Sequence, residues 1–157
     1  MRALRILSVL LLFSVVAFAA DSPLSGTWKL NLEKSKLAAS DLTKSDVYHI
    51  KADEKNISLQ EEQTDDKGLH RFSVDAKYDG KEYPIKADPP DPTPSTAAYK
   101  RVGSHQFTAT LKQAGKVIAT ATTTLSEDGQ TSTVKYTNYL ESGKTETGTA
   151  VYDKQPD

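Results

Sequence analysis

Residues 25–36 read SGTWKLNLEKSK and contain Trp28, the only tryptophan in the chain. Gly26, two residues earlier, leaves space for a neighbouring strand to approach closely around the indole ring. If the ring is buried, its N–H group needs a hydrogen-bond acceptor. The stretch therefore predicts a first β-strand in which Gly26 and Trp28 are structural, barrel-closing residues. A role for Trp28 as a surface on which a ligand stacks is the alternative.

From Lys44 onward, short runs of strand-forming residues alternate with turn signals such as Asp79-Gly80 and Asp128-Gly129. These pairs supply the positive φ angles that tight hairpins need. Strands at such regular spacing are typical of an antiparallel meander. Ten strands are predicted, near residues 25–32, 45–52, 56–63, 69–78, 82–87, 96–102, 105–112, 116–126, 130–140 and 145–153.

Apolar and polar residues alternate within these runs, as they do in strands with one face toward a core and one toward water. Phe72, Val74 and Ala76 share one face, whereas Arg71 and Ser73 share the other. A long meander must protect its edges, and closure into a barrel removes them. The sequence therefore predicts an all-β fold, a single antiparallel up-and-down β-barrel of about 8–10 strands.

Two segments do not resemble strands. Residues 33–43 could hold one short helix, the only helix expected. Residues 88–95 contain four of the seven prolines, and proline cannot pair inside a sheet. This proline-rich loop is either a stiff flap over the mouth of the barrel or a rigid connector.

The first twenty residues have the three parts of a secretory signal peptide. Arg2 and Arg5 give a positive start, Ile6 to Phe18 is an apolar run, and Ala17-Phe18-Ala19 is a cleavage site of the small-x-small kind. The apolar run is shorter than the roughly 20 residues that a membrane-spanning helix needs. We therefore expect cleavage near residues 19–21, and secretion or a periplasmic location for the 21–157 barrel domain.

The overall charge bears on possible partners. The formal net charge is −1 and there is no cysteine, which excludes disulfides. Basic residues are interspersed with acidic ones, and nucleic acids and anionic membranes both require a concentrated positive patch. We expect no nucleic-acid partner and no membrane span.

Both ends of the predicted barrel resemble known proteins. GTWKL at 26–30 is similar to the first strand of fatty-acid-binding proteins, which belong with lipocalins to the calycins, and GTAVYDK at 148–154 resembles their closing strand. The stretch 24–155 also resembles a group of uncharacterised exported bacterial proteins that begin GTWKLN…KSK and carry a turn like KYDGKEYP at 77–84. The resemblance implies a lipocalin-like barrel that binds a small molecule.

The closing strand departs from the fatty-acid-binding pattern. Those proteins usually end in Arg-x-Tyr, whose arginine and tyrosine grip the carboxylate of the ligand. Here the matching residues are Ala150, Val151 and Tyr152, so the tyrosine is kept and the arginine is missing. Residues 33–43 are also too short for the two-helix lid of that family.

Tyrosines are the main candidates for contact with a ligand, since they offer both apolar surface and a hydroxyl. Tyr99, Tyr136 and Tyr152 are predicted to line a cavity together with Tyr78, unless they only pack between strands. Arg101 could turn inward and anchor an anion, stack over Trp28 as a cation–π contact, or lie on the surface. Arg71, on the face opposite Phe72, is expected to be solvated.

The remaining polar residues offer no catalytic or metal motif. His49, His70 and His105 lack the spacing of metal sites, and the acidic pairs Glu61-Glu62 and Asp65-Asp66 are expected to be solvated. No Gly-x-Ser-x-Gly sequence is present. We therefore expect no metal, no cofactor and no enzymatic activity.

Two functions from different classes remain open. The first is an exported barrel that carries a small hydrophobic or amphipathic molecule in its cavity. The alternative is a barrel with a filled core that binds a protein partner through its rim loops, as calycin-type inhibitors do. An enzyme that uses the same cavity is a weaker third possibility.

Overall fold

Ten β-strands follow one another along residues 22–156, the part of the chain that this computed structural model describes. The predicted leader, 1–20, lies outside the described residues. The strands are β1 (Gly26–Leu30), β2 (Ser45–Ala52), β3 (Asn56–Asp65), β4 (Gly68–Lys77), β5 (Asp79–Asp88), β6 (Ser95–Arg101), β7 (Gln106–Gln113), β8 (Lys116–Leu125), β9 (Thr131–Tyr139) and β10 (Thr145–Lys154).

Each strand pairs antiparallel with its neighbours in sequence, and β1 also pairs with β10, which closes the sheet. Trp28 lies opposite Tyr48 on β2 and opposite Lys154 on β10. Closure leaves no strand edge exposed among these ten strands. The predicted all-β, up-and-down barrel is therefore confirmed, and its ten strands fall close to the predicted ranges.

The tight turns lie where the glycine pairs predict them. Gly129 and Gly143 have φ angles of 67° and 79°, a region that residues with a Cβ rarely adopt. Between β9 and β10, the backbone N–H of Gly143 donates to the carbonyl of Leu140 at 2.9 Å. Sequence reasoning locates these hairpins well because their backbone geometry demands a particular residue type.

Residues 33–43, which could have held a short helix, belong instead to a segment, 31–44, that consists of turns and one isolated bridge. Lys36 and Thr149 exchange two backbone hydrogen bonds of 2.7 Å. The hydroxyl of Ser35 donates to the carbonyl of Asn31 and accepts from the N–H of Val151. These bonds to β10 and to the start of the segment occupy backbone groups that a helix would need.

The proline-rich loop between β5 and β6 is held against the β7–β8 turn. The side chain of Gln113 donates to the carboxylate of Asp91 at 3.0 Å, and the N–H of Ala114 donates to the carbonyl of Pro94 at 3.1 Å. These contacts fit the connector alternative, because the loop packs beside a neighbouring turn.

Trp28 is the largest fully buried side chain, with 1% of its surface exposed. Its indole N–H donates to the carbonyl of Leu24 at 2.8 Å, and the ammonium of Lys154 lies 5.4 Å from the ring centroid. Gly26 has a φ of 132°, and a Cβ there would overlap the Lys154 side chain. Both residues therefore lie on β1, the strand that closes the sheet, and both are in contact with Lys154 of β10.

The barrel has two distinct ends. Residues 22–25, with the β2–β3 and β6–β7 loops, lie at the end that we call the Trp28 end. Segment 31–44 and the loops that follow β5 and β9 lie at the opposite end, beside the start of β2 with Asp46. We call this the Asp46 end.

The packing of Trp28 makes a prediction for stability. Trp28→Ala should lower the free energy of unfolding by about 3–5 kcal/mol, because it removes a large buried side chain and leaves a cavity. The control is Leu32→Ala, where 48% of the side chain is exposed and the change should stay within about 0.5 kcal/mol. Urea unfolding followed by circular dichroism compares the two, and similar losses in both variants would contradict the structural role.

Candidate functional site

A cavity of about 150 Å³ lies inside the barrel. Its walls are largely apolar and aromatic, and include Trp28, Ile50, Leu59, Phe72, Tyr99 and Phe107. Binding sites for drug-sized ligands usually measure about 300–1,000 Å³. The interior is therefore mostly filled by the protein's own side chains, with room left for a small molecule.

Small residues on three adjacent strands create this space. Ala109 on β7, Ala121 and Thr123 on β8, and Ser132 on β9 all line the cavity. Opposite them, the larger side chains of β1 to β4 reach inward. A run of alanine and threonine therefore leaves a void where larger apolar residues would have filled the core.

Asp46 is a buried carboxylic acid at the Asp46 end of the barrel. Only 2% of its surface is exposed, and it lies on the same face of β2 as Tyr48 and Ile50, which line the cavity. One carboxyl oxygen, Oδ2, accepts a hydrogen bond of 2.8 Å from the Tyr152 hydroxyl. The other oxygen, Oδ1, is buried and has no hydrogen-bond partner among the described residues.

Glu61 supplies a second carboxyl, on the barrel-facing side of β3. It is half-buried, lines the cavity and lies opposite Tyr48 in the strand register. Burial and, to a smaller extent, the charge of Asp46 raise the pKa of Glu61 to about 8, against a hydrogen bond with Tyr48 that lowers it. Burial likewise raises the pKa of Asp46 to about 6, against the hydrogen bond from Tyr152.

No basic side chain within residues 22–156 forms an ion pair with Asp46 or Glu61. The Tyr152 hydroxyl donates to Asp46, Tyr48 lies opposite Glu61, and the rings of these two tyrosines are 5.1 Å apart. Burial, followed by nearby acidic charge, raises the pKa of both Tyr48 and Tyr152 well above the usual value. These phenols therefore remain neutral hydrogen-bond donors beside the carboxyls.

Of the predicted site residues, Tyr99 and Tyr152 line the cavity. Tyr136 does not line it. Its hydroxyl donates to Asp41 at 2.6 Å and accepts from the N–H of Ala38 at 3.0 Å. A Cβ at Gly148 would overlap this phenol. Tyr136 thus ties segment 31–44 to β9, a role that sequence analysis did not foresee.

Arg101 lies at the Trp28 end and does not line the cavity. Its guanidinium stacks 4.4 Å from the centroid of the Tyr78 ring and donates to the backbone carbonyl of Asp53 at 2.9 Å. The alternative that placed Arg101 over Trp28 is corrected, because Lys154 occupies that position. Tyr78 likewise packs against Phe107 instead of lining the cavity.

Sequence reasoning missed both carboxyls of the site. It assigned Glu61 to a solvated acidic pair, and this is corrected, because only Glu62 faces outward, where it accepts from Arg71 at 2.8 Å. The alternation of side chains along β3 indicated the inward position, because Glu61 lies two and four residues after Leu59 and Ile57 and so faces the same side of the strand. Asp46 shares parity with Ile50 in the same way.

Two further sequence predictions concern a metal site and a membrane span, and the structure bears on both over residues 22–156. Within residues 22–156, His, Asp and Glu side chains form no group of three or more that could hold a metal ion. Across the same residues, no helix has the length and apolar character needed to cross a membrane.

Comparison with solved structures identifies a protein of similar architecture. The zebrafish ileal bile acid-binding protein, in complex with cholic acid, matches with a TM-score of 0.57 and 12% sequence identity. The match covers 85% of this chain and all of that one. What the two proteins share is the fold. The barrel predicted from the resemblance of 26–30 and 148–154 to fatty-acid-binding proteins is thereby confirmed at the level of fold.

Comparison of the sequence with protein families and with curated proteins does not assign this chain to a family. No protein-family model matches the chain, and no curated protein matches it significantly. The similar structure is named for bile-acid binding, and by that name it is a ligand-binding protein.

The two cavity tyrosines lead to a stability prediction. Tyr152→Phe removes the hydrogen bond to Asp46 and leaves that buried carboxyl without a protein donor, which should cost about 1–3 kcal/mol. Tyr99→Phe is the matched control at a second buried phenol. No hydrogen bond from its hydroxyl is found within residues 22–156, so removing that hydroxyl breaks no bond and should cost under about 0.5 kcal/mol. Equal losses in chemical denaturation would contradict the assigned role of Tyr152.

The raised pKa of Glu61 predicts how stability depends on pH. The folded protein holds this proton more tightly than the unfolded chain, so stability falls as pH rises from the unfolded pKa near 4.5 to about 8, and then levels off. Glu61→Gln stays neutral and should lose this slope, which is at most about 1.4 kcal/mol per pH unit. Thermal unfolding between pH 7 and 9 measures the difference, because this range lies above the raised pKa of Asp46, about 6.

Glu62→Gln is the control for this experiment, since it makes the same change on the outer face of the same strand. The window starts at pH 7 because Asp46, whose pKa burial raises to about 6, contributes a slope of the same sign below that pH. Carboxyls such as Asp65 and Asp153, whose pKa values are lowered mainly by hydrogen bonds, lose their stabilising contribution only at still lower pH. If Glu61→Gln and the wild type show the same slope, Glu61 is not buried as the structure places it.

Proposed function

We propose that this protein binds a small hydrophobic or amphipathic molecule inside its barrel. The observation that carries the proposal is the internal cavity, whose walls are apolar and aromatic apart from a few convergent polar groups. Such a combination is the usual character of a small-molecule site. The similarity of fold to a protein named for bile-acid binding supports the same class of function.

The size of the cavity sets the class of ligand. An engineered apolar cavity of about 150 Å³ accepts benzene, and the cavity here has a similar volume. The expected ligand is therefore a single ring or a short chain. A larger ligand would require the strands to separate.

One place where strands could separate lies between β4 and β5. Each strand has ten residues, yet only three residue pairs join them, Arg71–Asp88, Phe72–Ala87 and Ser73–Lys86. By contrast, β3 and β4 are joined by ten pairs. The interval between β4 and β5 thus offers a route into the cavity with few hydrogen bonds to break.

We also propose that the protein is exported and that it is related to a group of exported bacterial proteins. The leader at 1–20 supports export and cleavage near residues 19–21, and the motifs at 26–36 and 77–84 support membership of the exported bacterial group. We further propose that the barrel acts without an enzymatic step, since a binding role needs none.

The rim-binding alternative is favoured by one observation, which is that the protein's own side chains fill most of the interior. In that case the loops at the Asp46 end, including the proline-rich loop, would contact a protein partner. Native mass spectrometry of the protein purified from its own host separates the two functions, because a small-molecule adduct supports the first and a protein partner supports the second.

Filling the cavity should abolish binding without unfolding the barrel. Ala121→Leu places three additional carbon atoms in the cavity, whereas Ala98→Leu makes the same change on the outer face, beside Glu82 and Thr110. We expect the native mass spectrum of Ala121→Leu to lose the small-molecule adduct, and that of Ala98→Leu to retain it. An adduct that persists in folded Ala121→Leu would overturn the proposed site.

A further inference from the structure

The polar end of the cavity is acidic. Asp46 and Glu61 lie on adjacent strands with their carboxyls on the barrel-facing side, and no basic side chain of residues 22–156 forms an ion pair with either. Burying a carboxylate without a positive partner is costly. The arrangement is therefore the opposite of a site for a carboxylate ligand, which needs positive charge or hydrogen-bond donors.

Asp46 also has unused capacity to accept a hydrogen bond. Its Oδ2 is occupied by the Tyr152 hydroxyl, while Oδ1 has no partner even though Asp46 is 2% exposed. Buried polar atoms in folded proteins nearly always find a partner. Asp46 does not line the cavity and its Oδ1 is fully buried, so this carboxyl adds acidic character behind Tyr152 and is not itself a contact for a ligand.

The surrounding aromatic rings suit a positive group. Trp28, Tyr48, Phe72 and Tyr152 all line the cavity. The faces of aromatic rings attract cations, and the attraction increases where water is excluded. The cavity therefore combines the Glu61 carboxyl with several aromatic side chains around a space sized for a small molecule.

We propose that the cavity takes a small amine whose ammonium group pairs with Glu61 and whose apolar part lies among the aromatic side chains. This inference rests on the proposed function and names the chemical class of its ligand. Glu61 lines the cavity directly and contacts the ligand, whereas Asp46 lies beyond Tyr152 at the Asp46 end.

Binding of a cation should release a proton. The groups that face Glu61 are the acids Asp46 and Asp41 and the phenols Tyr48, Tyr99 and Tyr152, so no neighbouring positive charge stabilises its ionised form. At pH 7 the ligand-free protein therefore holds a proton on Glu61, whose pKa is about 8. An incoming ammonium pairs with the carboxylate, and the displaced proton passes to solvent.

Three probes of similar size test the proposal by isothermal titration calorimetry at pH 7. They are 2-phenylethylamine, which is cationic, 2-phenylethanol, which is neutral, and phenylacetate, which is anionic. We expect the amine to bind at least about tenfold more tightly than the alcohol, as for a hydrogen bond to a charged group. Phenylacetate should bind most weakly, and the heat of amine binding should vary with buffer because a proton is released.

Matched variants assign the effect to Glu61. Glu61→Gln should reduce the preference for the amine over the alcohol to about twofold or less and abolish proton release, since charge pairing supplies the discrimination. Glu62→Gln, with the same change on the outer face, should keep both. Binding of 2-phenylethanol by all three proteins shows at the same time that each variant is folded.

The outcomes separate this inference from the proposed function. If the alcohol or phenylacetate binds as tightly as the amine, the amine proposal is wrong and the carrier function stands. If Glu62→Gln reduces the preference as much as Glu61→Gln, the cavity carboxyl is not the cause and the proposal is also wrong. If none of the three probes binds the wild type, the amine proposal is wrong, and the native mass spectrum then decides the carrier function by itself.

Discussion

The pairing of β1 with both β10 and β2 is the constraint on which the rest of the structure depends. This strand has only five residues, yet without it the sheet would keep two open edges, and exposed edges invite pairing with other chains. Only three residue pairs join β1 to β10. Trp28, at the centre of β1, adds side-chain contacts to this pairing, since it is hydrogen-bonded to Leu24 and lies beneath Lys154.

Closure then determines which residues are inside. Once the barrel is shut, each strand must alternate between interior and solvent, and the register of one hairpin fixes the faces of the next. Fold prediction succeeded for this reason, because turn glycines such as Gly129 and Gly143 mark the hairpins and alternation marks the faces. Segment 31–44 was less predictable, since its shape depends on the bonds of Lys36 and Ser35 to β10, far away in sequence.

The site was predictable only where its residues follow ordinary expectation. Tyr99 and Tyr152 were found because aromatic residues at inward positions are common. Glu61 was missed because carboxyls are rarely buried. It was therefore predicted to be exposed, although it lies two residues after Leu59 and faces the same side of the strand. The alternation along β6 allowed an inward position for Arg101. That its guanidinium stacks on Tyr78 depends on how the strands are aligned with one another, which the sequence does not reveal.

The closing strand explains how a familiar barrel can hold an unusual interior. The resemblance to fatty-acid-binding proteins implies an arginine two residues before Tyr152, and Ala150 is buried there with no charge to offer. Tyr152 therefore directs its hydroxyl to a carboxyl of the protein itself, Asp46. With the arginine absent, the acids of the interior are Asp46 on β2 and Glu61 on β3, and the amine that we propose as ligand follows from these two strands and not from the closing strand.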